Sequence, residues 1–80
     1  MLHVKFFASV RERLGVGEMD WDFPSDGCTV GDLLQQLEAH FGQDLAGGHL
    51  LAARNHVHVP FSEPLRDGDE VAFFPPVTGG

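Results

Sequence analysis

Thr29-Val30-Gly31-Asp32-Leu33-Leu34-Gln35-Gln36-Leu37-Glu38-Ala39-His40-Phe41-Gly42 decides the fold, because it carries a helical period in a chain otherwise written in period two. Val30, Leu33, Leu34, Leu37 and Phe41 fall at i, i+3, i+4, i+7 and i+11, a single apolar stripe. Asp32, Gln35, Gln36, Glu38 and His40 take the wet side. Thr29 is an N-cap residue type, Asp32 at the third helical position makes a weaker form of the capping box, and Gly42 supplies the stop. A helix with one apolar stripe has to bury it against another layer.

That layer is written on both sides of the helix. Upstream, Leu2 to Ser9 places Leu2, Val4, Phe6 and Ala8 in alternation with His3, Lys5 and Phe7, the period of a half-buried strand. Glu18 to Phe23 repeats it with Met19, Trp21 and Phe23 on one face, and Gly15 and Gly17 bracket a turn, so the two runs are expected to form a hairpin. Pro24-Ser25-Asp26-Gly27 is turn chemistry. Downstream, a loop from Gln43 to Gly48 leads to a short strand, Leu50 to Arg54, and then to the alternating run His56 to Val59. Pro60 and Pro64 hold this region at an edge or in loops. Arg66-Asp67-Gly68-Asp69 predicts a turn and Glu70 to Phe74 a final strand, with Val71 and Phe73 sharing a face. The order β-β-α-β-β-β, with one main helix on one face of a mixed sheet, is an α+β fold of β-grasp, or ubiquitin-like, type.

Eighty residues make one domain that buries only about 60 to 65% of its unfolded surface, which leaves no room for an internal catalytic cleft. A hydrophobic fraction of 42% without a long apolar run predicts a soluble globular domain, with no membrane partner. Met1 to Val10 lacks the apolar core and cleavage site of a secretion signal, so a cytoplasmic location is expected. Cys28 is the only cysteine, which excludes an internal disulfide and a cysteine-based zinc site. A net charge of −7 repels nucleic-acid phosphates and favours protein partners with basic surfaces. Lys5 is the sole lysine, so the chain offers itself few amines for isopeptide linkage.

The physical character changes at Pro75. Two consecutive prolines remove backbone donors, so pairing stops and Pro75 to Gly80 is expected to leave residues 1–74 as a flexible tail with a reach of roughly 20 Å. Gly79 and Gly80 have no Cβ, so a narrow tunnel admits them and a reagent reaches the terminal carboxyl unhindered. Taken alone, a diglycine end is most often a frayed terminus. Here it follows a strand with Phe74 on its outward face, and Phe7 lies with His3 and Lys5 on the polar face of the first strand. If the first and last strands are neighbours, Phe7 and Phe74 make one exposed aromatic patch at the root of the tail, and such patches mark docking sites. His56 and His58, two apart on an outward face, have a metal-compatible spacing but no evident third ligand, and read as solvated strand histidines. Cys28 precedes Thr29 where a hydrophobic staple would pack on Leu33, and no histidine-plus-acid constellation is recognisable around it. Gly15-Val16-Gly17 lacks the lysine and helix start of a phosphate loop.

Val4-Lys5-Phe6-Phe7-Ala8-Ser9-Val10-Arg11-Glu12, Leu50-Leu51-Ala52-Ala53-Arg54-Asn55 and the block from Leu65 through Phe73-Phe74-Pro75-Pro76-Val77-Thr78-Gly79-Gly80 closely resemble the small subunits of molybdopterin synthase, within the MoaD/ThiS ubiquitin-like sulfur carriers. The resemblance runs end to end, and its last block is the most specific. It implies that an ATP-dependent activating enzyme adenylates the Gly80 carboxylate and that a sulfur donor protein displaces AMP to leave a thiocarboxylate. The tail then enters the large synthase subunit, in an expected heterotetramer, and gives its sulfur to the dithiolene of a cyclic pyranopterin. On that resemblance Gly80 is the sulfur site and Gly79 its slim neighbour, with no bound cofactor and no turnover by the chain alone. Phe7, His58, Phe74, Pro75, Pro76, Val77 and Thr78 form the expected partner-binding surface, His58 standing where the family often has an aliphatic residue. The sulfur carriers of thiazole synthesis resemble the chain less, usually lacking Phe-Phe-Pro-Pro before the end. A ubiquitin-like protein modifier is the alternative from another class.

Overall fold

A computed structural model of the chain describes residues 1–22, 28–45 and 50–76. The elements run β1 (Leu2–Phe6), α1 (Ala8–Leu14), β2 (Glu18–Trp21), α2 (Val30–Phe41), β3 (Leu51–Arg54), β4 (Val57–Val59) and β5 (Glu70–Phe74). The five strands form one mixed sheet in the order β2-β1-β5-β3-β4. β1 and β5 pair in parallel at its centre, and the β1·β2, β3·β4 and β3·β5 pairs are antiparallel. This is the β-grasp arrangement expected.

α2 starts and stops where its sequence dictates. Thr29 Oγ1 accepts from the Asp32 amide at 3.2 Å while the Thr29 amide donates to Asp32 Oδ2 at 3.0 Å, so the capping box is complete with an aspartate. Gly42 closes the helix in the left-handed region at φ 66°. Val30, Leu33, Leu34 and Leu37 are buried in one cluster with Leu2, Val4 and Phe6 of β1, Ala52 of β3, and Val71 and Phe73 of β5. Phe6 stacks on Phe73, ring centroids 6.3 Å apart, and meets Phe41 edge-on at 6.1 Å. Cys28 is partly buried and packs against this core, as a staple residue would.

Two local expectations are corrected. The first strand ends at Phe6 rather than Ser9, and a seven-residue helix, α1, joins β1 to β2 in place of a tight turn at Gly15 and Gly17. Ala8 turns out of the strand with φ 51°, and Gly15 caps α1 at φ 73°. Only Val10 of α1 is buried, too little apolar periodicity to stand out in so short a run. His56 lies in the turn between β3 and β4, not on a strand face. Asn55 and His56 both have positive φ, 51° and 71°, the requirement of a two-residue hairpin loop. The predicted turn Pro24 to Gly27 and the facing of Phe23 lie outside the described residues.

α2 occupies one face of the sheet. The other face carries a cross-strand row, Glu18 to Lys5 to Ala72 to Ala53 to His58, fixed by the pairing register of the five strands.

Candidate docking groove beside the last strand

Two alanines in the middle of that row make a trough. Ala72 and Ala53 are flanked by longer side chains, and the result is a groove of about 350 Å³ lined by Lys5, Phe7, Ala53, His56, His58, Glu70, Ala72 and Phe74. Parallel pairing of β1 with β5 is what brings its aromatic end together. The Phe7 amide donates to the Phe73 carbonyl at 3.1 Å, so Phe7 leaves β1 directly beside Phe74. Phe7 is 47% exposed, against 0% for Phe73 one residue before Phe74 on the buried face. Leaving a phenylalanine ring half in water forgoes burial worth about 1 kcal/mol or more. The His58 ring meets Phe74 at 5.1 Å and 61°, closing the groove on the β4 side.

The opposite end is charged. Glu70 accepts from Lys5 Nζ at 3.2 Å and lies 3.1 Å from His56 Nε2, so one carboxylate ties β5 to β1 and to the β3–β4 turn. Asn55 secures the same turn, its Oδ1 accepting from the Glu70 amide at 3.0 Å and its Nδ2 donating to Asp69 at 3.1 Å. At the sheet's other edge, His3 bridges Asp20 at 2.9 Å and Glu18 at 3.2 Å. Those hydrogen bonds, to Asp20 first and then to Glu18, hold the His3 imidazole above its ordinary pKa.

Of the sequence-predicted site residues, Phe7, His58 and Phe74 come together in the groove, and Pro75 and Pro76 continue from it, both partly buried. Val77, Thr78, Gly79 and Gly80 lie outside the described residues. Sequence reasoning missed Lys5, Ala53, Glu70, His56 and Ala72 as groove residues. Ala72 carried a usable signal, being two positions before Phe74 on the same strand face, whereas Ala53 enters only through long-range register. Among the described residues no three of histidine, cysteine, aspartate and glutamate are grouped to hold a metal ion, and no helix is long and apolar enough to cross a membrane. The groove has small residues for a floor, aromatic rings at one end and a tethered charge pair at the other.

The sequence model of the ThiS family matches residues 4–80. The molybdopterin synthase sulfur carrier subunit of Escherichia coli is 51% identical over 85 aligned residues, with 100% of both chains covered. Small archaeal modifier protein 3 of Haloferax volcanii is 37% identical, with 99% of this chain and 98% of that one covered. Among solved structures, SAMP1 from Haloferax volcanii superposes with a TM-score of 0.79 at 31% identity, covering 99% of this chain and 98% of that chain.

Proposed function

Because the chain belongs to the ThiS family, we propose that it is the sulfur carrier subunit of a molybdopterin synthase, working in the cytoplasm as a consumable co-substrate rather than a free-standing catalyst. The Gly80 carboxylate is a poor acyl electrophile as it stands. Adenylation by an ATP-dependent activating enzyme gives it a good leaving group, and attack by sulfide released from a donor protein displaces AMP and leaves a thiocarboxylate. The loaded tail then enters the large synthase subunit, in a heterotetramer, and transfers its sulfur to cyclic pyranopterin monophosphate as half of the dithiolene. Residues 1–74 serve as the dock and residues 75–80 as the arm, with Phe7, His58 and Phe74 gripping the partner and Pro75, Pro76, Val77 and Thr78 leading Gly79 and Gly80 into its active site.

The observation that carries this reading is the position of the groove. The aromatic pair sits where β5 ends, so a partner seated on it meets the tail at its root. The 51% identity to a sulfur carrier subunit across the whole chain supplies the pathway. Intact mass spectrometry of the chain produced with its activating enzyme and sulfur donor tests it. A mass gain matching one oxygen replaced by sulfur, lost again on adding the large subunit and the pterin precursor, is the expected result. An unchanged mass excludes the carrier role.

A second reading, attachment to protein lysines as a modifier, is favoured by the 37% identity to small archaeal modifier protein 3. It predicts isopeptide adducts of Gly80 on cellular proteins, which a pure carrier does not form.

A further inference from the structure

The chain has five lysine and arginine residues against twelve acidic ones, so what each cation does is informative. Lys5 pairs with Glu70 at 3.2 Å, Arg54 holds Glu63 at 2.9 Å and Asp69 at 3.5 Å, and Arg13 donates to the Asp44 carbonyl at 3.2 Å. Arg11 and Arg66 make no side-chain ion pair among the described residues. Arg66 lies in the turn that leads into Glu70, where the Gly68 amide reaches the Met1 carbonyl, and lines neither the groove nor the hollow beside it. Arg11 lies beside the groove, on the exposed side of α1.

The Arg11 guanidinium is laid over Gly17. A Cβ at position 17 would stand 3.2 Å from Arg11 Nε, closer than ordinary contact, and 3.4 Å from Cζ, at its near limit. Gly17 is not in the left-handed region, so its backbone does not call for glycine; what the missing Cβ provides is a flat seat for the side chain. Lys5, Phe6, Phe7, Arg11, Gly17 and Glu18 line a second hollow that shares Lys5 and Phe7 with the groove. Glu18 is its one carboxylate, and that is turned to His3 Nε2 at 3.2 Å. The guanidinium is therefore presented at the edge of the Phe7 end, seated but not neutralised.

We infer that Arg11 sets the docking register: the protein that covers the Phe7–Phe74 groove brings one carboxylate side chain onto the Arg11 fork. This rests on the carrier reading above. A partner with a mainly basic surface is drawn to a chain of charge −7 from many directions and in many registers. One inverted pair separates the registers, because sliding the partner sets its basic groups against Arg11 or its carboxylate against Glu70. Arginine suits the task because its planar fork holds a carboxylate through two parallel hydrogen bonds, which a lysine cannot do.

The test is titration calorimetry of the large synthase subunit with the wild-type chain and with Arg11→Ala, Arg11→Lys, Arg66→Ala and Phe74→Ala, each first checked for an unchanged urea midpoint. Arg11→Ala is expected to weaken binding about tenfold or more, the loss typical of a charge-assisted hydrogen bond. Arg11→Lys should recover only part of it. Arg66→Ala removes the same charge at a residue that does not line the hollow holding Arg11, and is expected to change Kd less than about twofold, since an exposed charge outside a specific contact contributes little. If Arg11→Ala binds as tightly as wild type, or if Arg66→Ala loses as much, the inference is overturned. Should Phe74→Ala lose binding in that case, the carrier reading stands without the Arg11 contact. A wild-type chain that does not bind the large subunit overturns both.

Discussion

Phe73 and Phe74 are adjacent, chemically identical and on opposite faces of β5, so truncating each to alanine separates folding from docking within one dipeptide. Phe73 is fully buried and stacked on Phe6 at 6.3 Å. Removing a buried phenylalanine ring costs about 3 to 5 kcal/mol. The whole domain is expected to hold only about 4 to 12 kcal/mol, at roughly 0.05 to 0.15 kcal/mol per residue over its 80 residues. Phe73→Ala therefore removes a large share of the stability, and at about 4 to 8 °C per kcal/mol it lowers Tm by some tens of degrees. Phe74 is only partly buried, its ring meeting His58 across the groove. Its truncation costs the fold about 1 kcal/mol, a fraction of a full side-chain burial. As a docking anchor it should cost binding about 2 kcal/mol, roughly thirtyfold in Kd. Urea unfolding followed by Trp21 fluorescence reads the first quantity, since the Trp21 indole donates to Gln36 of α2 at 3.3 Å and reports on helix–sheet docking. Calorimetric titration with the large subunit reads the second. If Phe74→Ala unfolds in step with Phe73→Ala while its folded fraction binds unchanged, the assignment of the two faces is wrong.

Deleting Gly80 should abolish thiocarboxylate formation and leave the urea midpoint where it was, because among the described residues the buried cluster ends at Phe73; loss of the folded state on deletion would contradict this. Thr29→Ala removes half of the capping box and should lower stability by about 1 kcal/mol with no change in partner affinity, as measured by the same two assays. His3 supplies a pH dependence. A histidine whose pKa is raised by folding stabilises the fold below its unfolded value of about 6.5, and that contribution is lost as pH rises through the raised folded value. The urea midpoint of the wild type should accordingly exceed that of His3→Gln by more at about pH 5.5 than at about pH 9. An equal gap at both would show that the Asp20 and Glu18 contacts carry no charge coupling.

What could be read along the chain was what local chemistry dictates. α2 was legible because twelve residues give its stripe more than three turns to repeat in, and because Thr29, Asp32 and Gly42 mark its ends. β5 was legible from its turn, its alternation and the proline stop. α1 was not, since seven residues burying only Val10 look like the continuation of a strand whose Phe7 is still extended at φ −125° and ψ 154°. The Asn55-His56 turn was missed because positive φ is uncommon outside glycine, and the pair lacks the glycine that normally announces such a loop. The groove divides in the same way. Phe7 and Phe74 could be paired once strand neighbours were assumed, but its alanine floor depends on Ala72 lying opposite Ala53 and Lys5, a register written in no single stretch of sequence.

β5 is the last strand of the sequence and lies between β1 and β3 in the sheet. On the ribosome, a nascent chain that has not yet extruded Glu70 to Phe74 has a gap where the middle of the sheet belongs, leaving the β1–β2 and β3–β4 pairs with nothing to join them. Assembly of the sheet thus waits for β5, and the groove and the root of the segment after Phe74 come into being in the same step. A fragment that stops before β5 has no groove, since Glu70, Ala72 and Phe74 are all missing from its lining. Such a fragment also lacks the buried Val71 and Phe73 and is expected to be more open to proteases than the whole chain.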